Sequence, residues 1–212
     1  MAISLQLQTF ITGDRSVTLY VPEPGQVKEL YQQQVQEHKE TAFPYWTKVW
    51  PAAIALTQFM FEHIAYVQNK NVQELAAGLG MPSIAAAGFA KSVCCSDYLP
   101  EAVETVQLTV MHHQLKNVKC RLLNWSSLPD DLEADTVLLS DINYNPYAFT
   151  ILYQVLMQFI GKGMIVLLST PQRLVSKSFI ESLLPYCTHQ QEIIVQEQNR
   201  DIVVTVMVLQ KQ

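Results

Sequence analysis

The chain has 212 residues, 49% of them hydrophobic and 16% charged, which excludes a disordered or fibrous protein. Fourteen basic against nineteen acidic side chains leave a net charge of -5, the wrong sign for a protein that mainly grips phosphate backbones. Cys94, Cys95, Cys120 and Cys187 contain no C-x-x-C pair, so neither a disulfide framework nor a zinc ribbon is expected; they read as buried thiols of a reducing compartment.

The N-terminus MAISLQLQTF has no basic start and no long apolar stretch, so no signal peptide is expected there. Ile3, Leu5 and Leu7 alternate with polar neighbours, as do Val17, Leu19 and Val21, around a Thr12-Gly13-Asp14 turn. That pattern is a β-hairpin. Gln26 to Lys39 is helix-permissive, and an aromatic linker from Phe43 to Trp50 follows. Pro51 opens an apolar helix running to about Ile64, with proline at a favoured first-turn position. Strands and helices then alternate. Strands are expected at Val72 to Ala76, Ser92 to Ser96, Val118 to Leu123, Thr136 to Ser140 and Met164 to Leu168. Helices are expected at Pro82 to Ala90, Pro100 to Leu115, Pro146 to Phe159 and Phe179 to Leu184. The uncharged stretch Ile142 to Gly161 is broken by Asn143, Asn145, Pro146, Gln154 and Gln158, so it does not read as a membrane span. Gln191 to Val195 and Ile202 to Leu209 flank a polar turn and form a closing antiparallel hairpin. Such alternation gives an α/β, Rossmann-like doubly wound sheet with helices on both faces. Residues 1–42 form a hairpin-and-helix extension to a domain spanning residues 43–212.

In open α/β sheets, ligands bind beyond the C-terminal ends of the strands. Glu74-Leu75-Ala76-Ala77-Gly78-Leu79-Gly80 follows the first parallel strand, and its small residues let a ligand lie against bare backbone. Asp97 ends the second; it can accept hydrogen bonds from a ribose diol or cap the helix opening at Pro100. Asn124-Trp125 follows the third, and Asp141-Ile142-Asn143-Tyr144 the fourth. The adjacent His112 and His113 point about 100° apart on a helix, a poor arrangement for metal. Arg173, after the last parallel strand, reads as a surface charge, with a place facing the substrate channel as the alternative.

Over roughly residues 43–209 the sequence resembles the class I S-adenosylmethionine-dependent methyltransferases, in particular the seven-strand protein-lysine group and bacterial relatives described as nicotinamide N-methyltransferase-like. The resemblance rests on Pro44-Tyr45-Trp46-Thr47-Lys48-Val49-Trp50-Pro51, the Glu74 to Ile84 segment, Ser96-Asp97-Tyr98, Asn124-Trp125, Ser140-Asp141-Ile142-Asn143-Tyr144 and Ser169-Thr170-Pro171-Gln172-Arg173. It implies a seven-stranded sheet and S-adenosyl-L-methionine as cofactor. It also implies that Trp50 packs near the methionine end and that Ala76, Ala77 and Gly78 lie against the cofactor by their backbone. Gly80 permits the turn, Glu74 orders the loop, Asp97 holds the ribose hydroxyls, Trp125 flanks the adenine and Ser140 lines the pocket. Asp141 and Tyr144 face a protein or small-amine acceptor. Three residues depart from the family pattern: Ala76 in place of glycine, Leu79 in place of Thr or Ser, and Asn143 in place of an apolar residue. Ala76 is expected to keep a negative φ, since its Cβ disfavours the left-handed region.

Three other readings fit less well. A nucleic-acid amino-methyltransferase places two prolines inside its Asp/Asn-Pro-Pro-Tyr motif, and both are missing between Asp141 and Tyr144. A nicotinamide dinucleotide oxidoreductase wants G-x-G-x-x-G, but Ala76 and Ser83 stand at the outer positions. A non-catalytic S-adenosylmethionine-binding protein would have no need to keep Asp97, Trp125 and Asp141 together. The expected location is cytoplasmic, with no membrane or nucleic-acid partner.

Overall fold

The computed structural model describes residues 3–37, 43–129 and 132–211. Its centre is a seven-stranded sheet with the strand order β5-β4-β3-β6-β7-β9-β8. The parallel strands are β3 (Asn71–Glu74), β4 (Ser92–Asp97), β5 (Val118–Leu122), β6 (Thr136–Ser140) and β7 (Ile165–Pro171). β8 (Cys187–Glu197) and β9 (Arg200–Leu209) form the closing hairpin, with β9 antiparallel to β7. From β3 the chain builds outward through β4 and β5; it then returns to lay β6 on the other side of β3. The connections leaving β3 and β6 therefore run to opposite faces of the sheet, to the helices Met81–Ala86 and Phe149–Gly161, and a crevice opens beyond the C-terminal ends of these paired strands.

The period-two geometry of the strands explains their unbroken apolar runs. In β6, Leu138 points into a core shared with α2 (Pro51–Glu62), α3 (Met81–Ala86) and α4 (Pro100–His112). Its neighbours Val137 and Leu139 point into a second core, with α5 (Phe149–Gly161) and α6 (Lys177–Leu183). Leu167 and its neighbours Val166 and Leu168 divide in the same way on β7. Both faces of these strands are covered, so no polar alternation survives in the sequence. The edge strands differ. Cys120 on β5 and Cys187 on β8 are only half-buried, as is Cys94, while Cys95 alone of the four free cysteines is buried.

The N-terminal hairpin, β1 (Leu5–Thr12) and β2 (Arg15–Pro22), is a separate two-stranded sheet. Its inner side chains Val17, Leu19 and Val21 nevertheless belong to the first core. Burial of each is worth about 1.5–3 kcal/mol. The hairpin is fastened to α4 where the Tyr20 N–H donates to Thr109 Oγ1 at 3.1 Å and the His113 ring meets the Thr18 carbonyl at 2.7 Å. His112 packs edge-on against Tyr20, so both adjacent histidines serve the docking of the hairpin. α1 (Pro24–Gln36) follows, capped by the Glu23 carboxylate. The expected helix end at Lys39 and the expected domain boundary after residue 42 lie outside the described residues.

Candidate active site

The crevice between β3 and β6 widens into a cleft of about 340 Å³. One wall is the turn after β3. Beneath it, the Gln73 amide donates to Ser96 Oγ at 2.9 Å and the Ser96 hydroxyl donates to the Glu74 carbonyl at 2.7 Å, locking β3 to β4. The turn continues the attachment through the Ala77 N–H, which donates to the Ser96 carbonyl at 3.0 Å. Glu74 is fully buried, and its carboxyl accepts from the Ser83 N–H at 2.9 Å, drawing the start of α3 up against the turn. Burial pushes the Glu74 carboxyl up to about 8.

Gly78 and Gly80 both have positive φ, at +54° and +67°. A Cβ on Gly80 would lie 2.8 Å from Cys95 Sγ and within 3.2 Å of both Val106 methyls, so the turn leaves no room for a side chain there. Ala76 also adopts a left-handed φ, +51°. This corrects the expectation of a negative φ. The turn is held by buried bonds on both sides, and it imposes the conformation on whatever residue stands at that position, at about 1–2 kcal/mol for a residue with a Cβ.

Asp97 closes this wall at the end of β4 and is buried. Its Oδ2 accepts from the Gly78 N–H at 2.9 Å and its Oδ1 from the Leu99 N–H at 3.0 Å. Burial raises its pKa, and these backbone donors oppose that shift. Asp97 makes no capping bond to α4, whose N-cap Leu99 carries none, so the alternative role as a helix cap is not the one adopted. Each carboxylate oxygen keeps capacity for a further donor from the cleft.

The opposite wall follows β6 and β7. Ser140, Asp141, Ile142 and Tyr144 line it, together with Arg173 from the segment after β7. Asp141 has φ +55°, with its N–H donating to the Ser169 carbonyl at 2.9 Å. Its carboxylate is held by Arg173 through two bonds, Nη1 to Oδ1 and Nη2 to Oδ2, the latter at 2.8 Å. The bond to Asp141 raises the Arg173 guanidinium above its usual range. Asn143 is completely buried, and neither its amide oxygen nor its nitrogen has a partner among the described residues. The helix cap ahead of Pro146 is Asn145, not Asp141.

A third side comes from the linker before α2. Trp50 donates its indole N–H to the Tyr45 carbonyl at 2.8 Å, and Tyr45 packs against Trp50, Phe43 and Tyr144 at centroid distances of 5.9, 5.0 and 5.4 Å. Lys48 sits 4.5 Å above the Trp50 ring and pairs with Glu197 at 2.6 Å. Tyr144 is half exposed; burial of its other half, then the nearby Tyr98, Tyr45, Asp141 and Asp97, raise its phenol above the usual value.

The cleft thus gathers Trp50, Ala76, Ala77, Gly78, Gly80, Asp97, Ser140, Asp141 and Tyr144. Glu74 stands behind the wall rather than in it. Trp125 stands apart: it is absent from the cleft lining, and its ring, half-buried, packs against the second core beside Leu123 and Leu128. The turn after β5 folds toward the α5 face and carries the indole with it. Sequence reasoning favoured a surface charge for Arg173, with the channel as the alternative, and it did not assign a site role to Tyr45. The signal for Arg173 was its place after β7, on the same rim as Asp141. For Tyr45 it was the run of aromatic residues in the linker.

The cleft fits S-adenosyl-L-methionine on observations of the protein itself. Its volume is within the roughly 300–1,000 Å³ typical of small-ligand sites. One wall offers exposed backbone beside a carboxylate, as a ribose and an amino-acid tail require. The lysine methyltransferase family profile matches residues 30–185, and the chain belongs to that family of S-adenosylmethionine-dependent enzymes. The chain is 32% identical over 130 residues to protein N-lysine methyltransferase METTL21A of Xenopus tropicalis, covering 59% of this chain and 60% of the relative. It is 31% identical over 107 residues to the human histone-arginine methyltransferase METTL23, covering 48% of this chain and 56% of the relative. The matched region spans about half the length of these curated relatives. The N-methyltransferase NodS of Bradyrhizobium japonicum WM9, solved with S-adenosyl-L-homocysteine, superposes over 85% of this chain and 98% of its own with a TM-score of 0.61 at 13% identity, which establishes the shared fold.

Proposed function

We propose that this protein transfers the methyl group of S-adenosyl-L-methionine to a side-chain nitrogen of a protein, with lysine as the acceptor. The observation that carries the reading is the division of one cleft into two chemically different walls. The Ala76 to Gly80 turn and Asp97 form a rigid, backbone-rich wall, and the half-exposed Tyr45 and Tyr144, with Trp50 and the largely enclosed Asp141, form an aromatic and acidic one.

S-adenosyl-L-methionine, when bound, supplies a sulfonium methyl open to in-line attack. Asp97 accepts hydrogen bonds from the ribose diol with the lone pairs that Gly78 and Leu99 leave free. Gly78 and its neighbours admit the ligand against backbone. Trp50 packs toward the methionine end, and Ser140 lines the floor. Glu74 keeps the turn in place from behind by holding Ser83. Trp125 acts from the second core by supporting the β5 turn rather than by touching the adenine. Asp141 orients the acceptor amine and Tyr144 shapes the entry. With the donor bound, the acceptor's nitrogen lone pair would form the new N–C bond as the S–C bond breaks with its electron pair left on sulfur, and the proton released from nitrogen would pass to water. The residues contribute mainly alignment and exclusion of water.

Arginine is a second acceptor reading, favoured by the similarity to proteins named histone-arginine methyltransferase. A small amine is a third, with the N-terminal extension, residues 1–42, as the source of selectivity. Incubating the protein with tritiated S-adenosyl-L-methionine and a cell lysate tests all three. Label in protein recovered as methyl-lysine supports the proposal. Methyl-arginine moves it to the second reading. Label confined to the small-molecule filtrate overturns it in favour of a metabolite.

A further inference from the structure

Asp141 does not wait in the cleft as a free carboxylate. Both of its oxygens accept from one guanidinium, and the pair is largely enclosed, with side-chain exposures of 11% for Asp141 and 33% for Arg173. Asp141 is fixed by its own backbone as well, through a left-handed φ and the bond from its N–H to Ser169. The other cation of the lining, Lys48, is occupied by Glu197 and the Trp50 ring. Arg173 is therefore the charge that balances Asp141.

That balance matters for the transfer reaction. A lysine or other alkylamine arrives as an ammonium, which has no lone pair to attack with. An uncompensated carboxylate beside it would strengthen its hold on the proton. A carboxylate already paired with a guanidinium adds little net field, yet its remaining lone pairs can still accept one N–H and aim the nitrogen. We propose that Arg173 is a positioning residue for methyl transfer: by holding Asp141 in a charge-balanced fork, it lets Asp141 orient the acceptor nitrogen while the acceptor enters in its neutral form. This rests on the methyltransferase reading above and adds to it a residue that acts through Asp141.

The groups that face Asp141 and the cleft are Tyr144 on its own loop, Asp97 and Tyr98 after β4, Tyr45 and Lys48 in the linker, and Arg173 after β7. Burial pushes Tyr98 and Tyr144 upward, away from neutrality. Glu74, pushed to about 8, lies behind the turn and titrates in the range of interest, but it is common to native and variant proteins. The difference between their pH profiles therefore isolates Arg173.

The experiment measures tritium transfer from S-adenosyl-L-methionine into lysate protein between pH 6.5 and 9.5, for the native protein, Arg173→Gln, Arg173→Lys and Arg173→Ala. S-adenosyl-L-methionine affinity is followed by calorimetry. Arg173→Gln is expected to bind the donor as the native protein does. Its transfer rate should fall about ten- to a hundredfold at pH 7 and recover toward the native rate as pH rises to 9.5, because the donor's sulfonium charge and the apolar cleft lower the acceptor ammonium well below its ordinary value in the native protein, and restoring the field of Asp141 raises it again by about one to two units. Arg173→Lys keeps the charge without the fork and should lose less at pH 7. Guanidinium chloride at millimolar concentration should partly restore Arg173→Ala at neutral pH. Loss by the same factor at every pH, or no loss, would overturn the role. A native protein that binds the donor but transfers no methyl group at any pH would overturn the methyltransferase reading itself, and this inference with it.

Discussion

The two walls of the cleft are built on opposite principles. On the wall proposed for the donor, polar side chains are buried and committed to backbone: Glu74 to the Ser83 N–H, Asp97 to those of Gly78 and Leu99, and Ser96 and Gln73 to the Glu74 carbonyl. On the wall proposed for the acceptor, side chains partner one another: Asp141 is largely enclosed with Arg173, and the half-exposed Tyr45 packs against Tyr144 and Trp50. A wall fixed through backbone suits a ligand that never changes. A wall made of side chains can change its acceptor by substitution without disturbing the sheet. Tyr147 and Leu174, in the segments after β6 and β7, are 95% and 93% exposed.

The rigidity of the donor wall is open to test through its buried acid. Glu74 keeps its proton to about pH 8 in the folded chain, against 4.5 for an unfolded one. A raised carboxyl constant means that the folded state binds a proton which the unfolded state has released. The stability this contributes is full below pH 4.5, declines as pH rises to about 8, and is flat above. Denaturant midpoints taken across this window should show the native protein weakening with pH by up to about 1.4 kcal/mol per unit. Glu74→Gln, which cannot ionise, should remove that slope. A native curve parallel to that of Glu74→Gln would show that the buried acid is not protonated.

Gly80→Ala is the next largest perturbation. Its Cβ would collide with Cys95 and Val106 and would occupy a left-handed φ, so a loss of about 2–4 kcal/mol is expected in chemical denaturation. An unchanged midpoint would mean that the turn is free to shift, and the contrast between the walls would weaken. Ala76→Gly works in the opposite direction and is smaller. Removing the Cβ at φ +51° should stabilise the fold by about 0.5–1 kcal/mol, because relief of the left-handed strain exceeds the added freedom of glycine in the unfolded chain. A destabilised Ala76→Gly protein would show that the Cβ makes contacts worth more than the strain.

The same contrast governs how much could be read from the sequence. Strand β6 runs from Thr136 to Ser140, the limits its apolar, β-branched pattern specifies. The hairpin of residues 5–22 is clear from β2, whose alternation of Val17, Leu19 and Val21 is an alternation of burial, whereas in β1 the alternation does not track burial, Leu7 being 44% exposed. The donor wall was legible because its parts follow strand ends in order. Its backbone conformation was not: residue type argues against a positive φ at Ala76, and only the buried bonds on either side of the turn impose it. The acceptor wall was half legible. Asp141 and Tyr144 are close in sequence, but Arg173 reaches Asp141 from 32 residues away, a meeting fixed by the β6–β7 register rather than by any local pattern. Trp125 shows the converse. A large ring after a strand end satisfies the linear criterion, but which side of the sheet the turn folds toward is decided by tertiary packing.

The division of labour between the walls is tested most directly by calorimetric titration of S-adenosyl-L-methionine into the native protein, Asp97→Ala and Asp141→Ala, paired with a transfer assay on the same samples. Loss of the ribose contact should weaken binding by about ten- to a hundredfold in Asp97→Ala. Asp141→Ala should bind the donor like the native protein and transfer almost no methyl group. Equal binding by all three proteins, or loss of binding in Asp141→Ala, would contradict the assignment of donor and acceptor to separate walls.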